Sequence, residues 1–153
     1  MKKYLFLPLV ATLYCSSGYS YENDKHTGQG TVIPMEEVKI FKNNGNSIQG
    51  IATPGKGAKE IEVWKSSVAP GKSTVLHSHE SEEIFVIFKG EGEALIGDTT
   101  IKFKAPAVLI APANLEHQFK NTGEEPTDHL VIIRANSKIY DTEQNLLLLP
   151  WRK

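Results

Sequence analysis

From Val38 onward the chain is cut into short β-branched and aromatic runs by turn clusters, and that punctuation constrains the fold more than any other feature. The clusters are Asn43-Asn44-Gly45-Asn46, Thr53-Pro54-Gly55-Lys56-Gly57, Ala69-Pro70-Gly71-Lys72, Lys89-Gly90-Glu91-Gly92, Gly97-Asp98 and Asn121-Thr122-Gly123-Glu124. Gly supplies positive φ, Pro fixes φ, and Asn or Asp bonds its own backbone, so each cluster reverses the chain. Strands are expected at 38–41, 48–52, 61–68, 74–79, 84–89, 93–96, 100–103, 108–111, 116–120 and 128–135. Many short strands at this spacing predict an all-β sandwich or barrel, with no amphipathic helix in its core. Residues 84–88 are apolar on both parities, as in a central strand covered on both faces. Residues 141–149 are expected to form one or two helical turns before Pro150, and the leucines at 146–149 need a surface to cover.

The 153 residues suit one domain, read as a leader at 1–20, a mobile arm at 21–37, a barrel at 38–141 and a C-terminal tail at 142–153. Lys2 and Lys3 precede an apolar run at 4–14 and a small-residue stretch at 15–20, the pattern of a cleavable signal peptide. The run is too short to span a bilayer, and a periplasmic or secreted location follows, with no membrane association after cleavage. A lipoprotein at Cys15 is disfavoured because Thr12 and Tyr14 do not suit a lipobox. Cleavage would leave 15 basic against 18 acidic residues, and the only two arginines are Arg134 and Arg152. Such a balance lacks the basic patch that nucleic acid requires. The single cysteine excludes an internal disulfide and a cysteine-based zinc site, so a metal here must be held by His and carboxylates.

One constellation meets that requirement. His77 and His79 are two apart on a predicted strand and leave one face; Glu83 opens the next strand, and His117 lies on another short strand. Three imidazoles and a carboxylate suit borderline divalent metals. The plain alternative is a solvated surface cluster, since Glu80, Ser81 and Glu82 lie between them. The spacing is more demanding than that: Gly71, five residues, His77-x-His79, three residues, Glu83, six residues, Gly90, then Pro112-x-Asn114-x-x-His117-x-x-x-Asn121.

These strings resemble the two motifs of the cupin family, departing from them at Pro106 and Asn114, where that family has Gly. Asn tolerates the left-handed conformation that a Gly would supply. Lys59 to Trp64, Ala69-Pro70-Gly71, Glu82 to Phe85, Lys89 to Gly92, His117-Gln118, Asn121 to Gly123 and the stretch 130–139 resemble the plant auxin-binding proteins within that family. The resemblance implies a dimeric jelly-roll β-barrel whose metal, zinc in that family, receives the carboxylate of a small aromatic acid. It places Thr74 and Phe85 beside the metal and Ile139 near the pocket mouth, and it matches Trp151 to a C-terminal aromatic. Gln118 and Thr74 are neutral and suited to orienting a ligand. The family's disulfide cannot form here, its retention signal is replaced by Trp151-Arg152-Lys153, and its gating tryptophan gives way near Asn145. These departures argue against auxin itself as the ligand.

His129 is expected at a strand start in a solvated or dimer-contact role, Trp64 in the core or a dimer interface, Arg134 in an ion pair or on a carboxylate, and Glu80 and Glu82 on a solvated rim. Three functions stay open: a binding protein for a small carboxylate, a metal-dependent dioxygenase, isomerase, lyase or decarboxylase acting on a small organic acid, and a module whose metal only staples the fold. The resemblance favours zinc, with manganese, iron or nickel as alternatives that the donor set also suits. No motif places a second acid or base for proton transfer, which leans toward binding.

Overall fold

The computed structural model describes residues 30–153, so the leader at 1–20, Cys15 and most of the arm lie outside the described residues. The turn clusters separate eleven strands: β1 (Phe41–Asn43), β2 (Asn46–Ala52), β3 (Ile61–Val68), β4 (His77–His79), β5 (Glu83–Lys89), β6 (Glu91–Ile96), β7 (Thr99–Lys104), β8 (Ala107–Ala111), β9 (His117–Asn121), β10 (Asp128–Arg134) and β11 (Ile139–Asp141). They form a six-stranded sheet, β1-β2-β3-β10-β5-β8, and a five-stranded sheet, β11-β4-β9-β6-β7, with antiparallel pairing throughout. This is the jelly-roll architecture expected from the turn spacing.

Period-two burial turns one face of each sheet inward. Glu83, Phe85 and Ile87 of β5 are buried, as are Trp64 and Val68 of β3 and Ala94 and Ile96 of β6. Phe119 of β9 joins the layers: its ring stacks on Phe85 of the opposite sheet at 5.4 Å and on Phe103 of β7 at 4.6 Å. Full burial of such a ring contributes about 1.5–3 kcal/mol.

Two motif positions show why their backbones matter. Gly90 has φ +93°, and a Cβ there would sit 2.9 Å from Thr127 Cγ2, so Gly meets both a conformational and a steric demand. Asn114 takes φ +61°, the conformation expected of it, and its N–H donates to the His79 carbonyl at 2.8 Å.

Three expectations are corrected. The strand expected over 74–79 is reduced to His77–His79, because Thr74 N–H donates to the Phe119 carbonyl outside any ladder run. The 84–88 run is covered on one face only: Phe88 is 53% exposed, and Ile84 and Val86 are half-buried. Cross-strand register extends that outer face into two rows, Val63-Ile132-Ile84-Ile110 and Lys65-Leu130-Val86-Val108. The segment 142–149 is not helical. Tyr140 bridges to Leu146, the chain runs extended, and a 3-10 turn forms only at Pro150–Arg152. Alternation then sends Leu147 and Leu149 onto the core while Leu146 and Leu148 stay exposed.

Candidate metal centre and ligand cavity

The first histidine pair follows from strand periodicity. His77 and His79 share a face of β4, and His77 pairs directly with His117 of β9. Glu83 opens β5 in the opposite sheet and projects inward with Phe85 and Ile87. The side chains meet with one ligand atom from each of the four residues within 4.8 Å of all the others. Ring centroids are 4.5 Å apart for His77 and His117, 4.6 Å for His79 and His117, and 5.6 Å for His77 and His79.

Each imidazole is fixed by a carbonyl two residues away. Nδ1 of His77 donates to Val75 O at 2.8 Å, Nδ1 of His79 to Ser81 O, and Nδ1 of His117 to Leu115 O at 2.8 Å. All three rings therefore keep a proton on Nδ1 and turn Nε2 to the cluster, the orientation that a carbonyl partner gives metal-bound histidine. His117 Nε2 lies 3.0 Å from Glu83 Oε2; His79 Nε2 lies 3.3 Å from the same oxygen without hydrogen-bond geometry and has no other partner. A buried ring nitrogen without a partner, beside two others and a carboxylate, fits a divalent cation.

Burial alone would raise the Glu83 carboxyl, but the close nitrogens of His117 and His79 and the charges of His77 and His79 outweigh it and hold it at about 2. Burial lowers His77. It also opposes charge on His117, whose hydrogen bond and attraction to Glu83 win and raise it. The cluster thus keeps its carboxylate ionised and ready for a cation.

His77 and Glu83 also line a cavity of about 180 Å³. Of the residues expected at a pocket, Thr74, Phe85, Ile139 and Trp151 line it. Gln118 does not; its amide donates to Thr74 O at 2.8 Å. Trp64 is buried in the core and reaches the cavity wall, where Trp151 packs on it edge-on at 5.5 Å. Among the described residues no lysine or arginine lines the cavity.

The family model for auxin binding protein matches residues 37–147. The chain belongs to the auxin-binding protein family, within the cupins. Auxin-binding protein 1 of Arabidopsis thaliana is 40% identical over 94 residues, spanning 55% of this chain and 48% of the relative. The chain thus spans about half the length of the curated relatives it matches. Among solved structures, the polyketide cyclase RemF of Streptomyces resistomycificus superposes with TM-score 0.63 at 17% identity, covering 81% of this chain and 90% of that one. A Bacillus subtilis oxalate decarboxylase, described by its Mn(II) centres, gives TM-score 0.61 at 21% identity over 67% of this chain and 29% of that one. Both likenesses concern the fold.

In this auxin-binding family member His129 departs from expectation. It is neither solvated nor surface-facing but 1% exposed, stacked on Phe119 at 4.8 Å, and it lines the cavity. Its side chain follows the alternation of β10, in which His129, Val131 and Ile133 all face inward. Arg134 is exposed on the outer face; Glu80 and Glu82 are exposed, and Glu80 pairs with Lys138 at 3.5 Å. The buried ion pair is instead made by Arg152, whose Nε donates to Glu62 Oε2 at 3.0 Å.

Burial pushes His129 down to about 4. Its folded value lies below its unfolded value, so the unfolded chain takes the proton first and stability falls as pH drops from about 6.5 to about 4, by roughly 3 kcal/mol. His77 acts in the same direction. His117, raised, stabilises below its unfolded value and loses that contribution only as pH rises through its folded value; Glu83 loses its own only below about 4.5. Urea unfolding of metal-free protein between pH 7.5 and 4 is expected to show this loss, and His129→Phe to flatten it. An unchanged slope in the variant would refute the assignment.

Proposed function

We propose that this chain is an exported, metal-dependent binding protein that receives a small aromatic carboxylate in the barrel. The observation that carries this reading is that two residues of the His3Glu cluster share one cavity with aromatic walls, Phe85, Trp64 and Trp151 among them. A cavity on the order of 150 Å³ accommodates benzene, so about 180 Å³ suits a single ring with a short acid group. A divalent ion held by His77, His79, Glu83 and His117 supplies the positive charge for a carboxylate, which the walls otherwise lack. The carbonyls of Val75, Ser81 and Leu115 keep the three rings oriented. Thr74 Oγ1 accepts the Phe119 N–H at 3.0 Å and retains its own proton for a bound oxygen. Auxin-binding names among the curated relatives support a small organic ligand. The donor set suits zinc among the borderline divalent metals.

The apolar rows on the outer face of the six-stranded sheet support a homodimer joined there, a reading that sedimentation at the mass of one chain would overturn. The ligand reading is tested by calorimetry of zinc-loaded protein with benzoate, phenylacetate and indole-3-acetate. We expect binding by at least one acid and none after the metal is chelated. Binding by none of them would sink the reading, and iron or manganese in purified protein together with consumption of an acid would replace it with an enzyme.

A further inference from the structure

His129 is buried, yet its ring does not complete its hydrogen bonding. Nδ1 lies 3.2 Å from Thr127 Oγ1, while Nε2 has no partner. The tautomer follows from Thr127. Its hydroxyl oxygen already accepts the Val68 N–H at 2.9 Å, and among the described residues His129 Nδ1 is its only other recorded partner. If Nδ1 carried the ring proton, the Thr127 hydroxyl hydrogen would have no acceptor and the Nε2 lone pair no donor, leaving two buried groups unsatisfied. If Thr127 donates to Nδ1, only the Nε2–H remains unpaired. The ring is held in place by Phe119 and by Phe85, whose centroid is 5.9 Å away, so it cannot turn freely to find a partner.

We propose that the Nε2–H of His129 is a second recognition point in the cavity, donating to a neutral oxygen acceptor carried by the ligand away from its metal-bound carboxylate. The inference rests on the reading above and narrows the ligand class to monocarboxylic acids bearing an ether, keto or hydroxyl oxygen on the apolar part. A second carboxylate is disfavoured, because one neutral donor among apolar walls does not compensate a buried charge. Burial keeps His129 neutral at ordinary pH, in agreement with that choice. Such a donor discriminates well, since a ligand lacking the oxygen leaves it buried and unpaired.

The test compares three methoxyphenylacetates, substituted at positions 2, 3 or 4, with the corresponding ethylphenylacetates, by calorimetry on zinc-loaded protein. Each pair differs by an oxygen in place of a methylene. At least one methoxy isomer is expected to bind about fivefold tighter than its ethyl partner, the effect of one net hydrogen bond. In His129→Phe, which retains a ring against Phe119, that ratio should fall to about one or reverse; His129→Leu serves if the Phe variant unfolds. Nitrogen-15 spectra of His129 in the unliganded protein should show the Nε2–H tautomer. Binding of the ethyl acids with no methoxy preference, a preference that survives in the variant, or an Nδ1–H tautomer overturns the inference while the carboxylate reading stands. Failure of all six acids to bind overturns both.

Discussion

Replacing His117 with Ala is expected to lower zinc affinity by at least about 100-fold, while Glu82→Ala leaves it unchanged. Loss of an outer partner of a metal ligand alone costs about 10- to 100-fold, and His117 is one of three nitrogens in the set itself. The contrast with Glu82 is the informative part. Glu82 and Glu83 are sequence neighbours with the same side chain, yet strand alternation exposes the first and buries the second. Competition against a chromogenic chelator would measure both. Equal loss in the two variants would mean that zinc binds the acidic surface instead of the cluster. In metal-free protein His117→Ala also removes the 3.0 Å contact from a carboxylate that is 2% exposed, which should cost about 1–3 kcal/mol in urea unfolding.

A second large effect is expected at Arg152. Glu62 is fully buried and takes the Nε of Arg152 at 3.0 Å, the Trp64 Nε1–H at 3.1 Å and the Asn136 N–H at 3.0 Å; Arg152 Nη2 lies 2.8 Å from Oε1 as an ionic contact. Nη1 of Arg152 donates to Ser137 O at 2.8 Å. Removing the guanidinium leaves an uncompensated charge in the interior, so Arg152→Ala should destabilise the fold by about 3–5 kcal/mol. Arg152→Lys should recover only part of this, since an ammonium cannot serve both carboxylate oxygens and the carbonyl in the same plane. Glu62→Leu in the Arg152→Ala background should recover more than either single change suggests, because it removes the charge left without a partner. A loss below 1 kcal/mol for Arg152→Ala would show that the pair is solvated in solution.

The sequence carries the β-rich plan because its turns are chemically explicit: Gly90 and Asn114 stand where positive φ is needed, and the structure uses them so. The His3Glu cluster is legible for a similar reason, since two-residue spacing fixes the face of His77 and His79. What escaped has physical causes. His129 shares the parity of the inward-facing Val131 and Ile133, but a polar residue at a strand start after Pro126 reads as a solvated edge, and that reading masked the alternation. The run of four leucines at 146–149 has no period, so only packing against Ile139 and the core reveals it as extended. Arg152 and Glu62 are separated by 90 positions, and no spacing rule joins a cation to a carboxylate at that distance. The 84–88 run is apolar on both parities, a pattern that does not tell whether one face or both are covered.

The walls of the cavity have two origins. The cluster stands on β4, β5 and β9, anchored by cross-strand pairing, whereas Leu147, Leu149 and Trp151 come from the extended segment and 3-10 turn beyond the last strand. Substitutions in that segment would reshape what the barrel admits while leaving the cation ligands where they are. On the reading proposed above, the choice of organic ligand and the hold on the cation are thus set by different parts of the chain.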